Sequence, residues 1–269
     1  MLDQIMLLSR PFCFVLIFSV MALWEIRTPK KALTQSKHMR WWHNLSLVGL
    51  NSIALPIVLP ILAIDTALWA EQHAFGLFHF AGFSELGFFI KFIVSLLILD
   101  ACIYWQHRIF HRIPWLWRLH RVHHADQDID VTTGSRFHTL EIILSMLIKC
   151  AIVAILGISW QAVLVFEILL NGCAMFNHAN ISLTKMRDHK LRRLIVTPDM
   201  HRVHHSSLHP EMHRNFGFCL SIWDRLFHSY QAQPQHGHQQ MQIGLPYFRQ
   251  LKEQKLLAML TQPFRSKTK

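Results

Sequence analysis

Apolar residues along this chain come in long blocks rather than in the short alternations of a soluble domain. Four blocks stand out: 11–24 (PFCFVLIFSVMALW), 46–70 (SLVGLNSIALPIVLPILAIDTALWA), 86–105 (LGFFIKFIVSLLILDACIYW) and 139–177. A bilayer takes about 20 residues of helix to cross, so the second and third blocks suffice. The first crosses once Ile5–Leu8 are added to it. The fourth, 39 residues long, is too long for one crossing and suits two short ones. Gly157-Ile158-Ser159 at its middle supplies turn chemistry, which predicts a helical hairpin. The expected architecture is therefore all-α and integral to a membrane, with about four to five transmembrane helices, two of them paired.

The polar stretches between the blocks orient this arrangement. The loop after the first block carries Arg27, Lys30, Lys31, Lys37 and Arg40, whereas the loop after the second, EQHAFGLFHFAGFSE, has no Lys or Arg. Segments 107–138 and 178–269 are rich in both. By the positive-inside rule, the first loop and the two later segments are cytoplasmic, in a bacterial inner membrane or in the endoplasmic reticulum of a eukaryote. Block one has no small-residue cleavage site before WEIRTPKK and is expected to stay as an anchor rather than leave as a signal peptide.

Composition agrees with this picture. Residues are 52% hydrophobic and only 16% charged, with a mean hydropathy of +0.24. The net charge of +11 flanks membrane segments, where it favours anionic lipid. No nucleic-acid motif accompanies it, so nucleic acid is not an expected partner. The five cysteines are scattered and form neither a disulfide framework nor a C-x-x-C metal pair.

The candidate chemistry lies in the histidines. Residues 107–124 read HRIFHRIPWLWRLHRVHH, and the pentapeptide HRVHH returns unchanged at 201–205. Helical residues three and four apart share a face, so His107 with His111, and each set His120/His123/His124 and His201/His204/His205, converge. Together they offer more imidazole than one ion accepts, which points to two. If both pentapeptides act together they lie on one side of the membrane, and the chain between them crosses an even number of times, as the hairpin requires. His38, His43, His73, His79, His236 and His238 lack ligand spacing and read as interfacial side chains. Imidazole suits zinc, copper, iron and nickel alike; neither H-E-x-x-H nor Glu-x-x-His occurs, and iron and zinc both stay open.

The run Asp100-ACI-Tyr104-Trp105-Q-His107-Arg108-IF-His111, then HRVHH, Asn177-His178-Ala179-Asn180, TPDMHRVHH and NFGFCLSIWDRLFHSY resembles the sterol desaturase and fatty acid hydroxylase superfamily over about residues 95 to 230. That resemblance implies a membrane anchor beneath a cytosolic helical cap, and O2-dependent oxidation of a lipid C–H bond at two iron ions. It implies as ligands His107, His111, His120, His123, His124, His201, His204 and His205, with His178 as a further one. His138, in Arg136-Phe-His-Thr-Leu-Glu141, is expected beside the ligands or on the substrate side. Asp100, seven residues before His107 on the same helix face, is a candidate to orient an imidazole; Asp199, Asn215, Trp223 and Asp224 are similar candidates. Two departures, His228 after WDRLF and Phe216 in Asn-Phe-Gly, lie outside the ligand boxes and bear on substrate fit.

The expected organisation is an N-terminal transmembrane anchor (1–94), a histidine-box catalytic domain (95–230), and a polar linker with a C-terminal amphipathic helix (231–269), the last either interfacial or packed on the cap. The lipid substrate enters from the bilayer between hairpin and cap. No cytochrome or ferredoxin module is visible in the sequence, so a separate electron donor, a b-type cytochrome or a ferredoxin with its reductase, is expected. Bound zinc would signal misloading. The competing readings are a membrane zinc-dependent hydrolase, a non-catalytic metal-binding protein and a b-type cytochrome. Lys149 and Glu167, nine residues either side of Ile158, are expected to meet in the hairpin, because unpaired charge there is costly. Asp65 and Lys91 are expected to reach towards an interface.

Overall fold

The structure, a computed structural model, describes residues 2–266, with side chains from Ser9 onward. The helices are α1 (Leu2–Arg27), α2 (Lys37–Val58), α3 (Ala63–Gln72), α4 (Phe88–Phe110), α5 (Pro114–His124), α6 (Thr139–Leu156), α7 (Trp160–His178), α8 (Lys185–Leu191), α9 (Pro198–His204), α10 (His209–Met212), α11 (Ile222–Leu226), α12 (Gly237–Gln240) and α13 (Leu256–Thr261). Among the described residues there is no strand, only three isolated bridges. Five segments are long and apolar enough to cross a membrane: Ser9–Arg27, Lys37–His79, Phe88–Phe110, Thr139–Leu156 and Trp160–His178. Ile5–Leu8, needed to lengthen the first block, are helical but their side chains lie outside the described residues.

The second block is not one helix. α2 starts at Lys37, nine positions before the apolar run, and stops at Val58. Pro60 has no N–H to donate and pushes Leu59 out of the helical region, to φ −122°, ψ 94°. The remainder becomes the short α3, packed on the hairpin.

That hairpin forms as its turn residues require. Gly157 closes α6 in the left-handed conformation (φ 67°), and the Ser159 hydroxyl caps α7 by accepting from Ala162 N. The loop after α3 seats directly on this turn: a Cβ on Gly76 would lie 2.2 Å from Gly157 N. A core of Ala63, Ile64, Ala67, Phe78, Leu99, Val153, Ile158, Ala162, Val163 and Phe166 fills the space between α3, α4, α6 and α7. Phe12, Phe89, Ile93, Leu147, Ile155 and Leu169 face outward, apolar and exposed, as lipid contact demands.

The intramembrane charges find partners. Lys149 Nζ donates to Glu167 Oε1 at 2.9 Å, and Arg10 from α1 donates to Oε2 at 2.6 Å. Asp65 caps α3 through Leu62 N, and Lys91 donates to the carbonyls of Phe78 and Ser84. Both tie backbone of the loops next to their helices.

At the opposite end from Gly157, the ends of α1, α4 and α7 and the starts of α2 and α6 meet the cap. The C-terminal stretch does not make one amphipathic helix. It breaks into 3-10 turns at Leu251–Gln254 and Gln262–Phe264 around α13. Arg118 and Arg121 of α5 donate to Pro263 O, Gln262 O and Arg265 O, which holds this stretch on the cap.

Candidate metal centre

Each histidine box sits where a helix ends against the cap. His107 and His111 close α4; His120, His123 and His124 close α5; His178 ends α7; His201, His204 and His205 come from α9. Pro114 and Pro198 start α5 and α9 at the first turn, where a missing N–H costs nothing. All nine rings are buried, at 7% exposure or less.

The rings gather into two groups. His107, His111, His120, His124 and His204 form one, and His123, His178, His201 and His205 the other; within each, one nitrogen per ring lies within 4.8 Å of all the others. The nine residues named from the sequence are the nine brought together. In the second group His178 Nε2 lies 3.1 Å from Nε2 of both His123 and His205, and 3.0 Å from that of His201.

The Nδ1 side explains the orientation. His178 Nδ1–H donates to Ala174 O (2.7 Å), His107 to Phe216 O (2.9 Å), His204 to Arg214 O (2.8 Å) and His120 to Glu141 Oε1 (2.6 Å). These bonds fix the tautomer and leave Nε2 as a lone pair aimed into the group. Nε2 of His107, His120 and His204, and both nitrogens of His111 and His124, are buried with no protein partner. Orphaned buried acceptors on this scale are costly, and converging lone pairs repel; a cation in each group removes both penalties. The donor set thus fits two metal ions. Burial drives the rings towards the neutral, ligating form: it holds His120 down to about 3, and His111, His123, His124, His201, His204 and His205 well below the usual imidazole range.

Of the surrounding candidates, Asp224 supports a ligand imidazole through Phe216, and the others bond elsewhere. Asp100 touches no imidazole: it accepts from Cys219 N, Leu220 N and Trp223 Nε1. Facing the loop that follows the last box, it has three donors to satisfy and no ring within reach. Trp223 serves the same anchor. Asp224 accepts from Phe216 N, Gly217 N and Ser229 Oγ and so fixes the carbonyl that holds His107; burial raises its carboxyl above the usual range. Asn215, at φ 54°, bridges Met200 O to the Gln231 backbone. Asp199 pairs with Lys30 (2.6 Å) and Arg202 (2.7 Å). His138 caps α6 through Leu140 N and donates to Leu260 O, which occupies both ring nitrogens. Of the histidines read as interfacial, His238 lies 4.0 Å from Asp199 in the cap and His79 packs on Gly157.

Several residues escaped sequence reasoning. Glu141, one turn into α6, holds His120; its place at the end of RFHTLE was the available signal. Arg40 of α2 is fully buried and grips Asp126 with Nε (3.0 Å) and Nη2 (2.8 Å), and Asp130 with Nη1. Burial alone would raise Asp126, but Arg40 and Arg136 hold it down to about 2. Glu25 of α1 accepts from Val131 N and Asn180 N at 2.7 Å each. The two N-terminal helices therefore brace the loops on either side of the histidines. No spacing rule relates Glu25 or Arg40 to residues a hundred positions away.

Fold and site together define a class: all-helical membrane proteins whose cap buries a histidine cluster able to hold metal. The chain belongs to the fatty acid hydroxylase family, whose model matches residues 92–229, just over half of it. It is 28% identical over 142 residues to ornithine lipid hydroxylase OlsE of Rhizobium tropici, covering 53% of this chain and 42% of that protein. It is 28% identical over 139 residues to alkylglycerol monooxygenase of Homo sapiens and 29% over 134 residues to that of Danio rerio; each match covers 50% of this chain and 29% of the relative. The chain thus matches less than half the length of these relatives. No solved structure matches it significantly.

Proposed function

We propose that the protein is a lipid hydroxylase or desaturase of monooxygenase type, using O2 at two iron ions held by the nine histidines. The observation that carries this is the pair of adjacent, buried, all-imidazole groups, in a family named for lipid oxidation. Iron bound there supplies the oxidising power that no side chain has. The five-membered group would take one ion and the four-membered group the other, with Glu141 and the carbonyls of Phe216, Arg214 and Ala174 keeping the lone pairs on target. Burial of the rings keeps bulk water from the reacting carbon. The basic loops around α1, α2 and the cap support a cytoplasmic site, by the positive-inside rule.

A lipid reaches the site from the bilayer. Where α5, α6 and the C-terminal turn meet, Trp115, Leu119, Leu140, Leu144, Pro263 and Phe264 line an apolar groove with Arg118 at its rim, suited to an acyl chain below a polar headgroup. Electrons come from a separate redox protein. The test is lipid mass spectrometry of cells producing wild type or His123→Ala, with iron per chain measured on the purified proteins. A lipid heavier by one oxygen, or lighter by two hydrogens, only with wild type is expected; unchanged lipids with full iron, or no iron in wild type, would overturn the reading.

A further inference from the structure

We propose that the face formed by Trp117, Tyr247 and His213 is the port at which an acidic one-electron carrier protein docks and passes electrons to the five-imidazole group. This rests on the redox reading above and goes further by locating the donor.

The observation is where the buried group comes within one ring of the outside. Trp117 is half-buried, and its ring centroid lies 4.9 Å from that of His111 and 5.3 Å from that of His124. His213, also half-buried, lies 5.5 Å from His111, and the exposed His209 meets it edge-on at 4.2 Å. Tyr247 hydrogen-bonds Trp117 and Arg121, and both aromatic rings sit on the small cap core of Ala125, Met212, Leu245 and Phe248. Electron tunnelling falls off exponentially with the gap between edges, so a continuous van der Waals path of rings from surface to ligand is the geometry it needs. Of the other rings on the ligands, Phe216 and Phe110 are buried, and Phe137, 4.4 Å from His123, lies at the head of α6, where its carbonyl is held by Asn51 of α2. That is the bilayer side, where the lipid must enter.

Charge selects the partner. Between Asp100 and Asp126 the chain has four arginines and no acidic residue. Arg112, beside His213, and Arg214 expose their side chains at this face. Such a surface steers an acidic carrier and raises its on-rate. In each encounter the reduced carrier loses one electron and the metal centre gains it; no bond is made and Trp117 stays a closed-shell medium. Two encounters supply the pair that one lipid oxidation consumes alongside O2.

The test uses the full-length, iron-loaded protein under anaerobic conditions. Reduced soluble b-type cytochrome and reduced plant-type ferredoxin are mixed with it, and their own absorbance reports oxidation. Photoreduced deazaflavin, small and uncharged, is the control donor. In the Arg112→Glu variant, transfer from the effective carrier should slow about fivefold or more at low ionic strength, a gap that closes as salt rises. Trp117→Leu should lower the rate at saturating carrier, with Trp117→Phe keeping most of it. Iron content and deazaflavin reduction should match wild type throughout. If Trp117→Leu loses iron, the charge variant and Trp117→Phe decide. Wild-type rates in the charge variant at low salt, or a wild type reduced by deazaflavin but by neither carrier, would overturn the port alone. A folded wild type that binds no iron would overturn the oxidation reading and the port with it.

Discussion

The two copies of HRVHH are the same five letters doing mirror-image work. In the α5 copy, His120 and His124 join the five-membered group and His123 crosses to the four-membered one. In the α9 copy, His201 and His205 join the four-membered group and His204 crosses to the five-membered one. The helix explains this: positions one and five of the pentapeptide lie on one face, and position four beside it. Two such ends facing each other therefore exchange one ring each. The intervening residues diverge. Arg121 donates to the carbonyls of Gln262 and Arg265, whereas Arg202 is wholly buried and pairs with Asp199. Val122 packs with Leu47 of α2 and Met259 of α13. A repeated motif thus fixes ligand geometry twice, while its support is built anew each time.

The largest effects come from breaking the exchange. His123→Ala and His201→Ala, in different copies, should both strip the four-membered group and lower metal by about one ion per chain, since three rings remain there. His120→Ala and His204→Ala should leave four rings in the other group and retain more metal. Elemental analysis separates these cases; a pattern that followed the copy rather than the group would refute the exchange.

Next is the support of the first copy. Arg40→Met leaves Asp130 buried without its cation and Asp126 with Arg136 alone, which should cost about 3 to 5 kcal/mol, read as a fall in the unfolding midpoint of the purified protein. Glu141→Gln should be milder, weakening metal affinity about 10- to 100-fold through His120, visible by competition with a chelator.

Acidification acts on both copies alike. A free imidazole takes its proton near 6.5, and burial holds His120 at about 3. The folded state favours the neutral ring, so this contribution is complete above pH 6.5 and shrinks as pH falls from there towards 3. For His120 alone the loss is up to about 1.4 kcal/mol per pH unit in that window. The chelated protein should therefore unfold at progressively lower temperature as the pH is lowered below 6.5, and a flat profile would contradict the burial of neutral rings. The smallest effect is expected at the second copy: Lys30→Met leaves Asp199 still paired with Arg202, so its midpoint shift should be smaller than that of Arg40→Met.

The sequence by itself determined the elements with a local cause. Apolar blocks of bilayer length became helices, Gly157 and Ser159 turned the hairpin, Lys149 met Glu167, and the nine histidines were named from helical spacing and resemblance. Pro60 was equally local, yet the apolar run around it masked the break at Leu59. What only the tertiary structure decided is long-range. Glu25 and Arg40 reach loops about a hundred residues on, Asp100 grips the Cys219–Trp223 loop instead of a ring, and His138 spends both nitrogens on backbone. Ligand spacing is written within one helix, where 3.6 residues per turn sets it. The partner of a buried carboxylate or guanidinium is set by which helices pack together, and no period along the chain encodes that.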